Sequence, residues 1–222
     1  MERKRPPQKR GERRRQLLIE SAYKMLRDRG NDEFGYPEIA KRAQIPLSSC
    51  YHFYGSKDDL LLAVANDKIA PLWQQVLEKF ELLPNSIRWI ELISDMFKLA
   101  QLQFEEHAGA SVLAFGTVTV GRGYEADFMD INGIVDSVAS RLEMIYQVPG
   151  YVDLRWSLRH ALLIWSTMMR EAYTRPGVFK ADVTKMANDA VISYLQANVP
   201  AIFDLKGINV DSAMVEEAEI TV

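Results

Sequence analysis

One cysteine and three histidines among 222 residues leave little room for several kinds of chemistry. Cys50 alone cannot close an internal disulfide; at its place in the chain a small core hydrophobe is the plainer reading and a redox sensor the sharper one. His52, His107 and His160 stand far apart, and none belongs to an HExxH motif or a Cys/His metal spacing, so no metal and no cofactor are expected. GxSxG and Walker motifs are missing, and the GRG at 121–123 is too short to cradle a phosphate. Glu105-Glu106 and Glu216-Glu217 are adjacent, so each pair splits to different sides of a helix and reads as solvated charge. No catalytic residue is assigned, and an enzyme is not expected. No apolar run approaches the ~20 residues of a membrane span. The arginine-rich start has no apolar stretch and no small-residue cleavage site, so it does not read as a secretory signal, and a cytoplasmic protein is expected.

What is present is ordinary for a globular chain, with 48% hydrophobic and 26% charged residues. The formal charge of −3 is unevenly spread. Residues 1–60 hold 14 Lys and Arg against 9 Asp and Glu, a net of +5; residues 61–222 hold 13 against 21, a net of −8. A basic first quarter on an acidic remainder is the footprint of a polyanion-binding head.

Apolar residues recur at helical spacing almost throughout, and no convincing sheet emerges, so the fold class is all-α. Residues 1–11 read as a disordered basic arm, either a solvated tail or an arm that lies along phosphates or in a minor groove. A first helix spans about 12–29, with Gly30 as its stop. A helix capped by Ser56 runs on through Phe80, and Pro71 should kink or break it. Further helices are expected at about 86–106, 108–120, 124–147, 153–173 and 180–197; the TVTV run at 117–120 is ambiguous. Residues 198–222 look irregular, acidic and loosely attached. The expected division is a small head over 12–70 and a larger helical body over 71–197.

Tyr36–Leu60 is the most informative stretch. Ile39, Ala40 and Ala43 give a short helix one apolar face. A turn follows at Gln44-Ile45-Pro46, where Pro46 ends one helix and suits the first turn of the next. That next helix, 47–54, carries small hydroxyls at its start and Tyr51 and His52 one turn later, a shape that suits a DNA major groove. Gly30, Glu38-Ile39-Ala40, Ala43, Tyr51, Tyr54, Ser56-Lys57-Asp58 and Leu60, in this order and spacing, resemble the helix-turn-helix head of the tetracycline-repressor (TetR) family over about residues 12–70, with the helix-turn-helix at 34–53. The chain departs from the family pattern in having Phe34-Gly35-Tyr36-Pro37 at the start of the second helix, Gln44 in the turn, Pro46 before the recognition helix and Tyr54 where Phe is usual. Ser48, Ser49 and Leu47 are therefore expected nearest the base edges, Tyr51 and His52 at phosphates or bases, and Lys57 at a phosphate. Backbone N–H groups at Gly35 and Tyr36 are expected to replace the lost hydroxyls.

The resemblance implies a function as well: a ligand-responsive regulator of transcription, most often a repressor, that binds a double-stranded operator as a homodimer. It implies that the last two long helices pair with their copies, placing Leu158, Leu162, Trp165, Val183, Met186, Ala190 and Tyr194 at the interface. It also implies a small effector held among the middle helices. Trp89, Met96, Phe97, Phe104 and Phe115 are the candidates there, with Phe128, Trp165, Met168 and Met169. Taken alone, such an aromatic and methionine stripe is more often plain core. His107, His160, Arg122 and Arg159 are candidate polar anchors, though surface charge or a satisfied histidine is the plainer account of each. A DNA-binding protein without an effector, and a helical protein-interaction module, are the alternatives.

Overall fold

The computed structural model describes residues 8–85, 88–116 and 131–206. Residues 1–7 of the arm expected at 1–11, residues 207–222 of the tail expected at 198–222, the TVTV run, Arg122 and Phe128 lie outside them. Helix α1 (Gln8–Arg29) buries Leu18, Ala22, Met25 and Leu26 on one face. It ends at Gly30, whose φ of 74° places it in the left-handed region while its N–H donates to the Leu26 carbonyl at 2.7 Å. A side chain is disfavoured at such a φ, which is why glycine stands there.

Two short helices follow, α2 (Tyr36–Ala43) and α3 (Leu47–Phe53). Gln44 adopts φ 55° and lets the Ile45 N–H reach back to the Ala40 carbonyl at 3.0 Å. This is the left-handed termination a glycine usually supplies; glutamine accepts it at a conformational cost of about 1 kcal/mol. Helix α4 (Lys57–Lys68) opens on Ser56, whose hydroxyl accepts from the Asp59 N–H at 3.0 Å. Helix α5 (Ala70–Glu81) follows after a break at Ile69. Pro71 has no N–H to donate back four residues, so the helical ladder is interrupted where the sequence places it.

The body continues with α6 (Trp89–Glu106), α7 (Ala108–Phe115), α8 (Ile131–Ile145), α9 (Leu154–Ala172) and α10 (Ala181–Asn198). Helices α9 and α10 pack closely on one another, and α9 covers α7 and α8. Their connection is not a bare loop. Strands β1 (Tyr173–Arg175) and β2 (Val178–Phe179) form an antiparallel hairpin about Pro176-Gly177. So small a sheet leaves the all-α class intact, and its few residues are too short to show period-two alternation.

The segment after α10 departs from the expected loose tail. Tyr146 bridges to Leu205, and the Gln147 N–H donates to the Asp204 carbonyl at 2.8 Å. Phe203 is buried against Trp89, with ring centroids 5.3 Å apart. Residues 199–206 are thus a strap across α6 and α8, held because Val199 and Phe203 bury apolar surface.

Candidate nucleic-acid interface

The reading head is built around one buried phenol. Tyr36 sits at the start of α2 with its hydroxyl 2.9 Å from the Cys50 carbonyl and 3.0 Å from that of Tyr54, which fixes the end of α3 against α2. Burial pushes this phenol far above its ordinary pKa. Cys50 is fully buried beneath it, so it acts as a core residue, its thiol likewise pushed up by burial. With Cys50 inward, α3 turns Ser48, Tyr51 and His52 to solvent, while Ser49 and Leu47 are half-buried at the flanks. Tyr51 is about half exposed (51%) and packs edge-on against Tyr36 at 4.9 Å. Three polar side chains on one exposed helical face, on a rigid backing, can meet base edges and phosphates.

Two sequence expectations meet prior engagements. The Gly35 N–H already donates to Glu38 Oε1 at 3.0 Å, and Glu38 in turn pairs with Arg29 at 2.6 Å. The start of α2 therefore carries its own carboxylate, held below its ordinary pKa chiefly by Arg29, where a phosphate was expected. The Tyr36 side chain is buried beside it. Lys57 is tied as well: its ammonium donates to the Asp32 carbonyl at 2.8 Å, lies 3.4 Å from the Asp32 carboxylate and sits 5.6 Å over the Phe34 ring.

Sequence reasoning missed the contribution of α1. The helix begins at Gln8 rather than near residue 12, and Gly11 approaches the Phe53 ring. Arg15 lies 5.8 Å over that ring, with Arg13 and Arg14 exposed beside it. The basic start of the chain thus flanks the end of α3. The signal was the Arg13-Arg14-Arg15 run continuing into a helical pattern without a break.

In the body, the structure brings most of the expected pocket residues into one aromatic cluster. Trp165 is fully buried and has ring centroids 5.5 Å from Phe97, 6.5 Å from Phe104 and 5.9 Å from Phe115. Met169 is buried beside them, whereas Met168 is only half-buried. Trp73, on α5, joins the cluster 6.1 Å from Trp165 and 6.2 Å from Phe104; the expected set omitted it. The rings pack closely on one another, and among the described residues a void of about 10 Å³ lies beside them between Met96, Phe97 and α8.

Several assignments are corrected here. Trp89 donates its indole N–H to the Pro200 carbonyl at 3.1 Å and stacks on the strap, so it is not a pocket wall. His107 caps the α6–α7 corner, its Nδ1 2.9 Å from the Gln103 carbonyl. Arg159 donates to Asn132 Oδ1 at 2.6 Å. His160 lies on the outer face of α9 between Trp156 and Tyr194, at 4.2 and 6.4 Å. Leu158, Leu162 and Trp165, expected at a subunit interface, are at most 4% exposed within one protomer and have no surface left to give a second. Val183, Met186, Ala190 and Tyr194 do reach the surface of α10. Among the described residues no three His, Cys, Asp or Glu side chains could hold a metal, and no helix is long and apolar enough to cross a membrane.

A family profile described as "Bacterial regulatory proteins, tetR family" matches residues 18–64. No curated protein sequence matches the chain. Among solved structures, a TetR-family transcriptional regulator from Streptomyces coelicolor is similar at a TM-score of 0.63 and 18% identity, over 84% of this chain and 99% of that one. RolR in complex with resorcinol is similar at 0.59 and 18%, over 83% and 88%. Thermus thermophilus FadR, a repressor solved with lauroyl-CoA, is similar at 0.55 and 17%, over 82% and 94%. At these identities the likeness establishes the fold.

Proposed function

We propose that this chain, which carries a tetR-family N-terminal domain over residues 18–64, is an effector-responsive regulator of transcription that grips its operator as a homodimer. The observation that carries this reading is the exposed Ser48, Tyr51 and His52 face of α3, set on a buried Tyr36 clamp and flanked by the arginines of α1. Repression relieved by a small hydrophobic or aromatic molecule is the mode we infer.

The dimer would form through the outer faces of α9 and α10. Trp156 is 61% exposed, Leu163 37% and Met186 58%, and with Val183, Ala190 and Tyr194 they make an apolar surface on adjacent helices. Two-fold pairing there would present two copies of α3 to half-sites ~34 Å apart or a multiple of it.

Two contacts could carry an effector signal to the head. Tyr23 of α1 packs on Gly109 of α7, and Gly30 at the end of α1 lies against Pro176 of the hairpin. Both α7 and the hairpin enter the aromatic cluster, through Phe115 and Phe179, whose rings are 5.6 Å apart. An effector that wedges the cluster would shift both connectors. Coupling of about 1–3 kcal/mol is the usual scale of such effects.

Fluorescence anisotropy with duplexes from the chain's own promoter region tests the reading. Tight, salt-sensitive, sequence-selective binding is expected; indifference to all duplexes at low ionic strength would overturn it. The close packing of the cluster favours one second reading, a constitutive DNA-binding protein. It gains if no small aromatic compound raises the Tm, since a bound effector stabilises by RT ln(1 + [L]/Kd).

A further inference from the structure

Helix α4 ends on Lys68, directly before the break at Ile69 that leads into α5. Pro71 has no N–H to offer the Asp67 carbonyl, four residues back, so the backbone ladder does not by itself fix the angle between the two helices. Side chains crowd that corner. Lys68 Nζ donates to Glu20 Oε1 of α1, lies 3.1 Å from the Asp67 carboxylate and sits 5.2 Å over the Tyr23 ring. Gln16 Nε2 donates to Asp67 Oδ2 at 3.3 Å and to Glu20 Oε1 at 3.4 Å. Gln16, Glu20 and Tyr23 recur four and three residues apart, so they share one stripe of α1. The same Tyr23 ring abuts Gly109 of α7. One ammonium thus ties the end of α4 to α1 at the point where α1 leans on the body.

Holding the two helices against one another does not require this clasp. Leu18, Ala22 and Leu26 of α1 and Leu60, Leu61 and Val64 of α4 are all fully buried in the core without it. What the clasp can govern is an angle, and the lever behind it is long. The 12 residues of α4 span ~18 Å, and α3 ends at Phe53, just before α4 begins at Lys57. A swing of ~10° at Ile69 therefore moves the far end of α4 by ~3 Å, close to the ~3.4 Å rise of one base step. In a two-fold dimer both heads swing, and the displacement doubles. A head free to swing so far would accept half-sites at neighbouring spacings, and a held head rejects them. The side chain of Lys68 is 21% exposed and that of Glu20 38%, so the pair is partly shielded yet open to screening by salt.

We propose that Lys68 and Glu20 are positioning residues that set the angle of the head on the body, and through it the half-site spacing that the dimer accepts. The clasp sits at the opposite end of α4 from the recognition helix, ~18 Å away, so it acts on a duplex through the separation of the two copies of α3. The proposal rests on the reading of the chain as a homodimeric DNA-binding regulator. It concerns which operator geometry is chosen, and leaves the affinity of one head for one half-site untouched.

The test uses the full chain and duplexes built on its footprint in its own promoter region. One duplex keeps both half-sites at their native spacing, two others carry one base pair more or fewer between them, and a fourth holds a single half-site. The first three present the same contacts to phosphate, so the ratio of their affinities at one salt concentration cancels the counterion contribution. The wild-type chain is expected to prefer the native spacing. Lys68→Met removes the charge and should cut that preference about three-fold, the scale of one partly exposed ion pair, while affinity for the single half-site holds. Glu20→Gln should act in the same direction and carries the test should Lys68→Met not fold; Lys68→Arg should keep the preference. Added salt should erode the wild-type preference more than that of Lys68→Met. Full preference in both neutral variants, an equal loss on the single half-site, or Lys68→Arg behaving as Lys68→Met would each overturn the proposal. Duplex binding by the wild-type chain with no spacing preference overturns it too and leaves the regulator reading standing, whereas no duplex binding at all sinks that reading itself.

Discussion

The Tyr36 hydroxyl faces two backbone carbonyls, those of Cys50 and Tyr54, from inside the head. Tyr36→Phe would leave both with one partner fewer in a buried place. A loss of about 1–2 kcal/mol is expected in thermal or urea unfolding, together with weaker operator binding as α3 loosens. Lys57 differs in kind from the arginines of α1. Its ammonium is held by Asp32 and Phe34, so Lys57→Ala should lower the Tm of the head and reduce operator affinity while leaving the salt slope nearly unchanged. Arg13→Ala, at an exposed cation, should instead leave the Tm alone and lower the slope by about one. Measuring log Kd against log salt for both variants decides which of them meets phosphate. Two carboxyls give the head an acid sensitivity. Arg27 and then Arg42 hold Asp28 below its ordinary pKa, and Arg29 with the Gly35 N–H does the same for Glu38. A depressed folded pKa favours the native state above the unfolded value, near pH ~4, and that gain is lost as pH falls through the folded value. The Tm should therefore decline below about pH 4.5, and more shallowly in Glu38→Gln.

Among the elements, α7 lies between the head and the rest of the body. One end touches α1, where Tyr23 packs on Gly109; the other places Phe115 in the aromatic cluster. The contact with α1 depends on Gly109 having no side chain. A Cβ there would stand 2.5 Å from the Tyr23 ring, which must move. Gly109→Ala is expected to cost about 1–3 kcal/mol through overpacking. It should also shrink the effector-induced change in operator affinity, measured by anisotropy with and without effector, while the dimer persists. The hairpin makes the second junction: Gly177 has φ 72°, its N–H donates to Ser111 Oγ at 2.8 Å, and Pro176 abuts Gly30. Arg141 fixes the opposite end of the body. It is buried, pairs with Glu81 at 3.1 Å, donates to the Leu83 carbonyl at 2.6 Å and lies 4.8 Å over Phe80.

At the scale of the whole molecule, charge and apolar surface are sorted to different ends. The first 60 residues carry +5 and the remainder −8, so the body is repelled from a duplex that the head attracts. The apolar surface left on α9 and α10 belongs to the body. Leu163→Glu with Met186→Glu places charge on that face without touching the protomer core, since both side chains are more than a third exposed. Sedimentation at micromolar concentration should then show a species of 25.4 kDa in place of one twice that mass. Operator affinity should fall with it, because each half-site would be held alone.

Periodicity and punctuation determined most of the helices by themselves. Gly30, Pro46, Ser56 and Pro71 act through local backbone chemistry, a permitted φ or a missing N–H, so their effects are readable without knowing the fold. The helix-turn-helix and the placement of Ser48 on α3 were legible for the same reason. What a side chain touches across the chain was not. Lys57 reads as a free cation until Asp32 is seen 25 residues away beside it, and Trp89 reads as a pocket wall until the strap at 200–203 closes over it. Trp165 fits an interface stripe equally well facing in or out, and only the packing of α5, α6 and α7 around it turned it inward. Helical spacing marks which residues share a face; which neighbour covers that face is set by contacts far apart in the chain, and these the tertiary structure alone decided.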